Sequence, residues 1–224
     1  MGELSEYKDI KENLELEVEG YKKIKPENNN TLNDDKHFIE GLFDSELESE
    51  IDNVENPHQE VVEGKRYYYD DNGRLYRVDN DLAPDIIYEI NGYKYVTDEL
   101  GRIVSAEGTL RMKERDGRLP IRDSIEDIGK GDQKEGDDRG HLIGDQFDGA
   151  NGLENMIPQN ANINRIDFKN FENELANAVK VGEEVYVKIE PIYDKDSRRP
   201  EIIAVTYSID GEESVRIFPN SQEE

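Results

Sequence analysis

The chain has 224 residues, with 54 acidic side chains against 28 basic ones and a formal charge of −26. That balance runs against the basic footprint of most nucleic-acid binders, and the absence of cysteine excludes disulfides and thiolate metal sites. No apolar run reaches the ~20 residues of a membrane span, and the N-terminus lacks a basic, apolar secretory signal, so a soluble chain is expected.

Residues 1–64 hold 19 Asp and Glu against 6 Lys, and the resulting −13 is half the formal charge of the chain. So much charge with so few apolar side chains offsets little of the entropy lost on ordering. This lead is expected to be a flexible acidic linker or partner-binding segment, followed by one folded domain over 65–224. Within the lead, Leu14, Leu16 and Val18 alternate with glutamates as in a short strand, and His37 to Ile51 has the pattern of a weak acidic helix.

From Tyr67 the pattern changes to strands. Tyr67 to Val78 reads as a hairpin around Asn72-Gly73, and Ile86 to Val96 as another around Asn91-Gly92. Asp71-Asn72-Gly73-Arg74-Leu75 is echoed in Glu99-Leu100-Gly101-Arg102-Ile103, which we read as recurring hairpin chemistry. Gly129 to Gly136 has the composition of a surface loop. Phe168, Phe171, Leu175, Ala178 and Val179 form an apolar stripe that predicts a helix from Asn164 to about Lys180. Alternation over Glu184 to Tyr193, then over Glu201 to Ile209 and Ser214 to Phe218 about Asp210-Gly211, predicts an antiparallel meander. The order of elements places the chain in the α+β class, with an antiparallel sheet.

The chemistry concentrates in the run Asp137-Asp138-Arg139-Gly140-His141, then Glu154-Asn155-Met156-Ile157-Pro158-Gln159, Asn164 and Glu172. An imidazole takes a proton from water near neutral pH, and a guanidinium holds a phosphate oxygen through paired hydrogen bonds. The glycine between them is expected to let the backbone turn sharply. Asn164 and Glu172 stand roughly 80° apart on an α-helix at about 100° per residue, so both can face one site. One amide and one carboxylate suit a hard cation such as Mg²⁺. Zinc wants a cluster of thiolates or imidazoles, and the histidines are His37, His58 and His141 alone. Taken singly, Asn164 is equally a helix cap, Glu172 a solvated helix residue, and Arg139 an ion-pair partner of Asp137 or Asp138. Asn155 and Gln159 read as shapers of the loop.

In this order and spacing the residues resemble the D-R-G-H and N-x-x-P-Q…N…E pattern of the DNA/RNA non-specific endonucleases, a branch of the His-Me finger (ββα-metal) nucleases. The likeness runs from about Glu99 to Phe218. It is closest to the C-terminal nuclease domains of bacterial polymorphic toxins, including LXG toxins exported by type VII systems. The resemblance implies a ββα-metal catalytic core with His141 as general base and Asn164 as the protein ligand of Mg²⁺, for which Mn²⁺ is a substitute. It places Glu172 behind the metal waters and Arg139 on the substrate phosphate or bracing the loop that carries His141. A further arginine upstream is implied, for which Arg115, Arg118 and Arg122 compete. It also implies DNA and RNA as substrates, a cognate immunity protein, and secretion followed by action in the cytoplasm of a target cell.

Acidity opposes this reading. Two basic clusters, Arg111, Lys113, Arg115, Arg118 and Arg122, and then Lys195, Arg198 and Arg199, are expected to offset it locally. The competing reading is a non-enzymatic acidic interaction module or DNA mimic, which explains the charge and leaves the motif unexplained.

Overall fold

The computed structural model describes residues 57–221, so the strand expected at 14–18 and the helix expected at 37–51 lie outside the described residues. Mostly antiparallel sheets with few helices make up what is described. Strands β1 (His58–Val62), β2 (Lys65–Tyr69), β3 (Leu75–Val78) and β4 (Asp81–Leu82) form a first sheet in chain order. His58–Val62, assigned by composition to the acidic lead, is thus the edge strand of this sheet, paired from His58↔Tyr69 to Val62↔Lys65.

The second sheet holds β5 (Ile87–Ile90), β6 (Tyr93–Thr97), β7 (Ile103–Thr109), β10 (Val185–Tyr193), β11 (Pro200–Ile209) and β12 (Glu212–Pro219), in the order β12-β11-β10-β7-β6-β5. Both predicted hairpins are present. Ile90 pairs with Tyr93 across a two-residue turn whose Asn91 and Gly92 both have positive φ, the backbone that Asn-Gly adopts most readily. The echoed segments are one turn used twice. Asp70 Oδ1 accepts from the amides of Asn72 and Arg74, and Asp98 Oδ1 accepts in the same way from Leu100 and Arg102.

Between β7 and β10 the chain leaves the sheet. It forms a short helix α1 (Ile125–Gly129), a separate two-stranded ribbon of β8 (Asp137–His141) and β9 (Met156–Asn160), a π-helical turn (Ile163–Phe168) and helix α2 (Lys169–Val181). The single predicted helix therefore has two windings. Its i→i+5 first turn removes the basis for a uniform 100° step between Asn164 and Glu172. Gly182, in left-handed backbone with its amide returning to Ala178 and Val179, ends α2.

Helix α2 rests on the second sheet through aromatic contacts. The Phe171 ring lies 5.1 Å from Tyr207 and 5.6 Å from Phe218, and Phe168 packs 5.0 Å from Phe218. On the other side of the core, the stacked rings of Tyr76, Tyr88 and Tyr95 link the two larger sheets. The Tyr88 hydroxyl of this stack donates to the Glu154 carbonyl, and that of Tyr93 in β6 to the Phe147 carbonyl, both acceptors lying between β8 and β9.

Candidate active site

The ribbon is held in place by polar ties rather than by its own width. Buried Asp137, at the start of β8, receives both Nε and Nη2 of Arg199, at 2.7 and 2.9 Å. Asn220 donates to the carbonyls of Pro158 and Pro200 and accepts from the Asn160 amide. On the opposite flank Arg77 is buried between Asp123 and Glu154, and Glu154 also meets Arg122. Such carboxylates and guanidiniums are stable in the interior only as a mutually paired set. Asn155 closes the loop by accepting from the Ile143 amide and donating to the carbonyls of Ile143 and Ala150.

Gly140 corrects an expectation. It lies within β8 and outside the positive-φ glycines, so it makes no sharp turn. A Cβ at 140 would run into the side chain of Gln159, which is fully buried across the ribbon. Glycine is required there by close approach rather than by backbone freedom.

His141 is the last residue of β8 and is buried. Burial above all, with Arg118 and Arg139 acting in the same direction and Asp145 opposing them, lowers its pKa to about 4. The ring is therefore neutral at physiological pH and able to accept a proton. Glu172 lies in the first turn of α2. Burial raises it to about 7, reinforced by Asp145 and opposed by Arg118 and Lys169. Its carboxylate occupies the space beside Gly144, where any side chain would strike it. His141 and Glu172 thus share two charged neighbours, Arg118 and Asp145.

The three candidate arginines separate by their partners. Arg115 is bound to Asp145 at 2.6 Å and to the Gly117 carbonyl, and Arg122 is paired with Glu154. Arg118 is exposed and acts electrostatically on both His141 and Glu172. Arg139 pairs with neither Asp137 nor Asp138. Its Nη1 donates to the Asp123 carbonyl, so it braces the segment entering α1 while remaining exposed.

Asn164 does not cap its helix. That task falls to Asn160, whose Oδ1 accepts from the amides of Asn162 and Ile163. Asn164 instead donates from Nδ2 to Asp138 Oδ2 at 3.0 Å. Among the described residues no three His, Asp or Glu side chains converge as a metal cluster. The donors available are the Asn164 amide and the Glu172 carboxylate, whose place is kept open by Gly144. An amide oxygen and one carboxylate fit an ion that retains most of its water, as Mg²⁺ does.

The basic clusters are largely consumed by structure. Arg111 pairs with Asp148, Lys113 and Arg115 share Asp145, and Arg199 is buried against Asp137.

A family model described as DNA/RNA non-specific endonuclease matches residues 84–211, more than half of the chain and a span that includes Arg118, Arg139, His141, Asn164 and Glu172. The chain belongs to that family. Among relatives of this endonuclease chain, the type VII secretion system protein EssD of Staphylococcus aureus strain USA300 is 32% identical over 199 residues, 82% of the chain. The same protein from strain NCTC 8325 matches to the same extent. The chain spans about a third of the length of these curated relatives, 32% in each case. A solved structure titled extracellular nuclease aligns over 58% of the chain and 85% of its own, with 20% identity and a TM-score of 0.42.

Reading the endonuclease motif alone misses the residues that support it. Asp123, Arg77 and Asp145 all stand outside the residues of the motif. The capping box of Ser124 and Asp127, which starts α1, was a usable local signal.

Proposed function

We propose that the chain is a Mg²⁺-dependent, non-specific endonuclease that hydrolyses phosphodiester bonds of DNA and RNA. One observation supports it above others: a buried, neutral His141 and the Glu172 carboxyl share the neighbourhood of the exposed guanidinium of Arg118. The ribbon β8–β9 followed by the π-turn and α2 serves in this reading as a ββα-metal finger. His141 takes the proton of the attacking water. The new P–O bond forms as the bond to the 3′-oxygen breaks, leaving a 5′-phosphate and a 3′-hydroxyl. Arg118 would stabilise charge on the pentavalent phosphate, and Arg139 would brace the strand that carries the base. When bound, Mg²⁺ supplies Lewis-acid stabilisation of phosphate charge and a polarised water for the leaving oxygen. Asn164 would hold it, with Glu172 orienting its water. Mn²⁺ should substitute. Base edges carry sequence information and a phosphate-centred site need not touch them, which accounts for cleavage without specificity.

The EssD relatives support a further step. This is the toxin portion of a type VII exported protein, secreted and acting in the cytoplasm of a target cell, with a cognate immunity protein in the producer. The formal charge of −26 favours a second reading, an acidic interaction module or DNA mimic. Incubating the full chain with closed circular plasmid and with RNA, in Mg²⁺, Mn²⁺ or EDTA, separates the two. Nicking and linearisation in either metal, abolished by EDTA, supports the nuclease. Intact substrate with a folded protein across both metal titrations favours the acidic module.

A further inference from the structure

An asparagine side chain ligates a cation through its oxygen only, and its two ends are nearly isosteric, so a free amide presents the wrong end as readily as the right one. The partner of Asn164 removes that freedom. Asp138 lies in β8, paired across the ribbon with Gln159, and its half-buried carboxylate accepts from Asn164 Nδ2 at 3.0 Å. An ionised carboxylate has acceptors and no donor, so the amide nitrogen must face it and the oxygen must face away. The carboxylate itself is held. Arg165 grips both its oxygens, Nε on Oδ2 at 2.7 Å and Nη2 on Oδ1 at 2.6 Å.

Asn164 and Arg165 are consecutive, and consecutive residues of an α-helix do not face one partner. Here they do, and both belong to the π-turn Ile163–Phe168. The unusual winding and the shared carboxylate are parts of one arrangement.

We propose that Asp138 is the positioning residue of the metal site: it turns the Asn164 carbonyl oxygen toward the ion, and Arg165 holds Asp138 to that task. The inference rests on the reading of Asn164 as the ligand. It assigns Asp138 no contact with substrate or metal.

The test uses the full chain with Mn²⁺ as the probe, its binding measured without nucleic acid by electron paramagnetic resonance and calorimetry, alongside Mg²⁺ titrations of cleavage rate. Asp138→Ala should weaken Mn²⁺ binding by about 10–100-fold, the usual range for groups that orient a ligand. The Mg²⁺ concentration for half-maximal rate should rise by a similar factor, while the rate at saturating metal changes less. Asp138→Asn, which presents either end of its own amide, should fall between parent and Asp138→Ala. Arg165→Ala should show a smaller loss in the same direction. Should Asp138→Ala fail to fold by circular dichroism, the ordering of parent, Arg165→Ala and Asp138→Asn decides alone. Asn164→Ala is the reference. Parent-like Mn²⁺ binding by folded Asp138→Ala and Asp138→Asn, with binding lost in Asn164→Ala, overturns the positioning role and leaves the ligand reading intact. Parent-like binding in Asn164→Ala overturns both.

Discussion

His141 and Glu172 are displaced in opposite directions by the same burial. With its pKa lowered to about 4, His141 is a base over the whole physiological range, so the acid limb of the rate profile should lie below the ordinary imidazole range. His141→Ala should lower turnover by about 10²–10⁴-fold with the fold retained. Near-parent cleavage by that variant would rule out His141 as the base. Among the arginines, Arg118→Ala should lose about 10²–10³-fold in kcat, the range for removing a group that stabilises transition-state charge. Arg115→Ala and Arg122→Ala, whose guanidiniums are committed to Asp145 and Glu154, should mainly lower Tm. Equal kinetic loss across all three would remove Arg118 from its special role.

The same displacements predict stability against pH in EDTA. For Glu172 the folded pKa of about 7 lies above the ordinary 4.5, so its contribution is complete below 4.5 and lost as pH rises through 7, by about 3 kcal/mol. For His141 the folded pKa lies below the ordinary 6.5, so its contribution is present above 6.5 and lost as pH falls toward 4. Between about 4.5 and 6.5 the two dependences oppose and cancel, so metal-free stability should be level there and fall on either side. Glu172→Gln should remove the loss above pH 6.5 and uncover a rise in stability across pH 4.5–6.5 that Glu172 cancels in the parent. Urea denaturation from pH 4 to 8.5 checks this, and an undiminished alkaline loss in Glu172→Gln would show that another group is responsible.

At the level of elements, the β8–β9 ribbon depends on the fit of Gln159 over Gly140. Gly140→Ala should cost about 1–3 kcal/mol by overpacking, and adding Gln159→Ala should recover most of it. An additive double variant in urea melts would show that the two residues do not compete for the same space. The hairpins were legible because their instructions are local: Asn91-Gly92 and the Asp70 and Asp98 turns each complete their hydrogen bonds within five residues. Helix α2 was legible from its apolar stripe, but the π-turn was not, since an i→i+5 winding leaves no periodic trace over six residues. Helix α1, five residues long, is likewise too short for a periodic signal. The motif pointed to His141, Asn164 and Glu172. It did not reveal which arginine faces them, because Arg115 and Arg122 differ from Arg118 only in partners at Asp145 and Glu154, about 30 positions away.

For the whole molecule, charge dominates encounter with substrate. A chain at −26 whose Arg111, Lys113 and Arg115 are each paired with an aspartate repels a polyanion at long range. Most nucleic-acid binders weaken steadily as salt rises. This one should behave oppositely at first, with kcat/KM rising between roughly 10 and 100 mM NaCl at fixed Mg²⁺, as the Debye length shrinks from about 30 to 10 Å. A monotonic fall from the lowest salt would indicate a basic face that outweighs the net charge.

The ties between the ribbon and the end of the sheet also set a schedule. Asp137 waits 62 positions for Arg199, and Pro158 another 62 for Asn220. A ribosome moving from the N-terminus releases the motif strand long before either clamp exists, so the emerging chain passes through a stage in which every proposed catalytic side chain has been made while the ribbon that carries His141 still lacks both clamps. The cutting edge is sheathed until the last strand arrives.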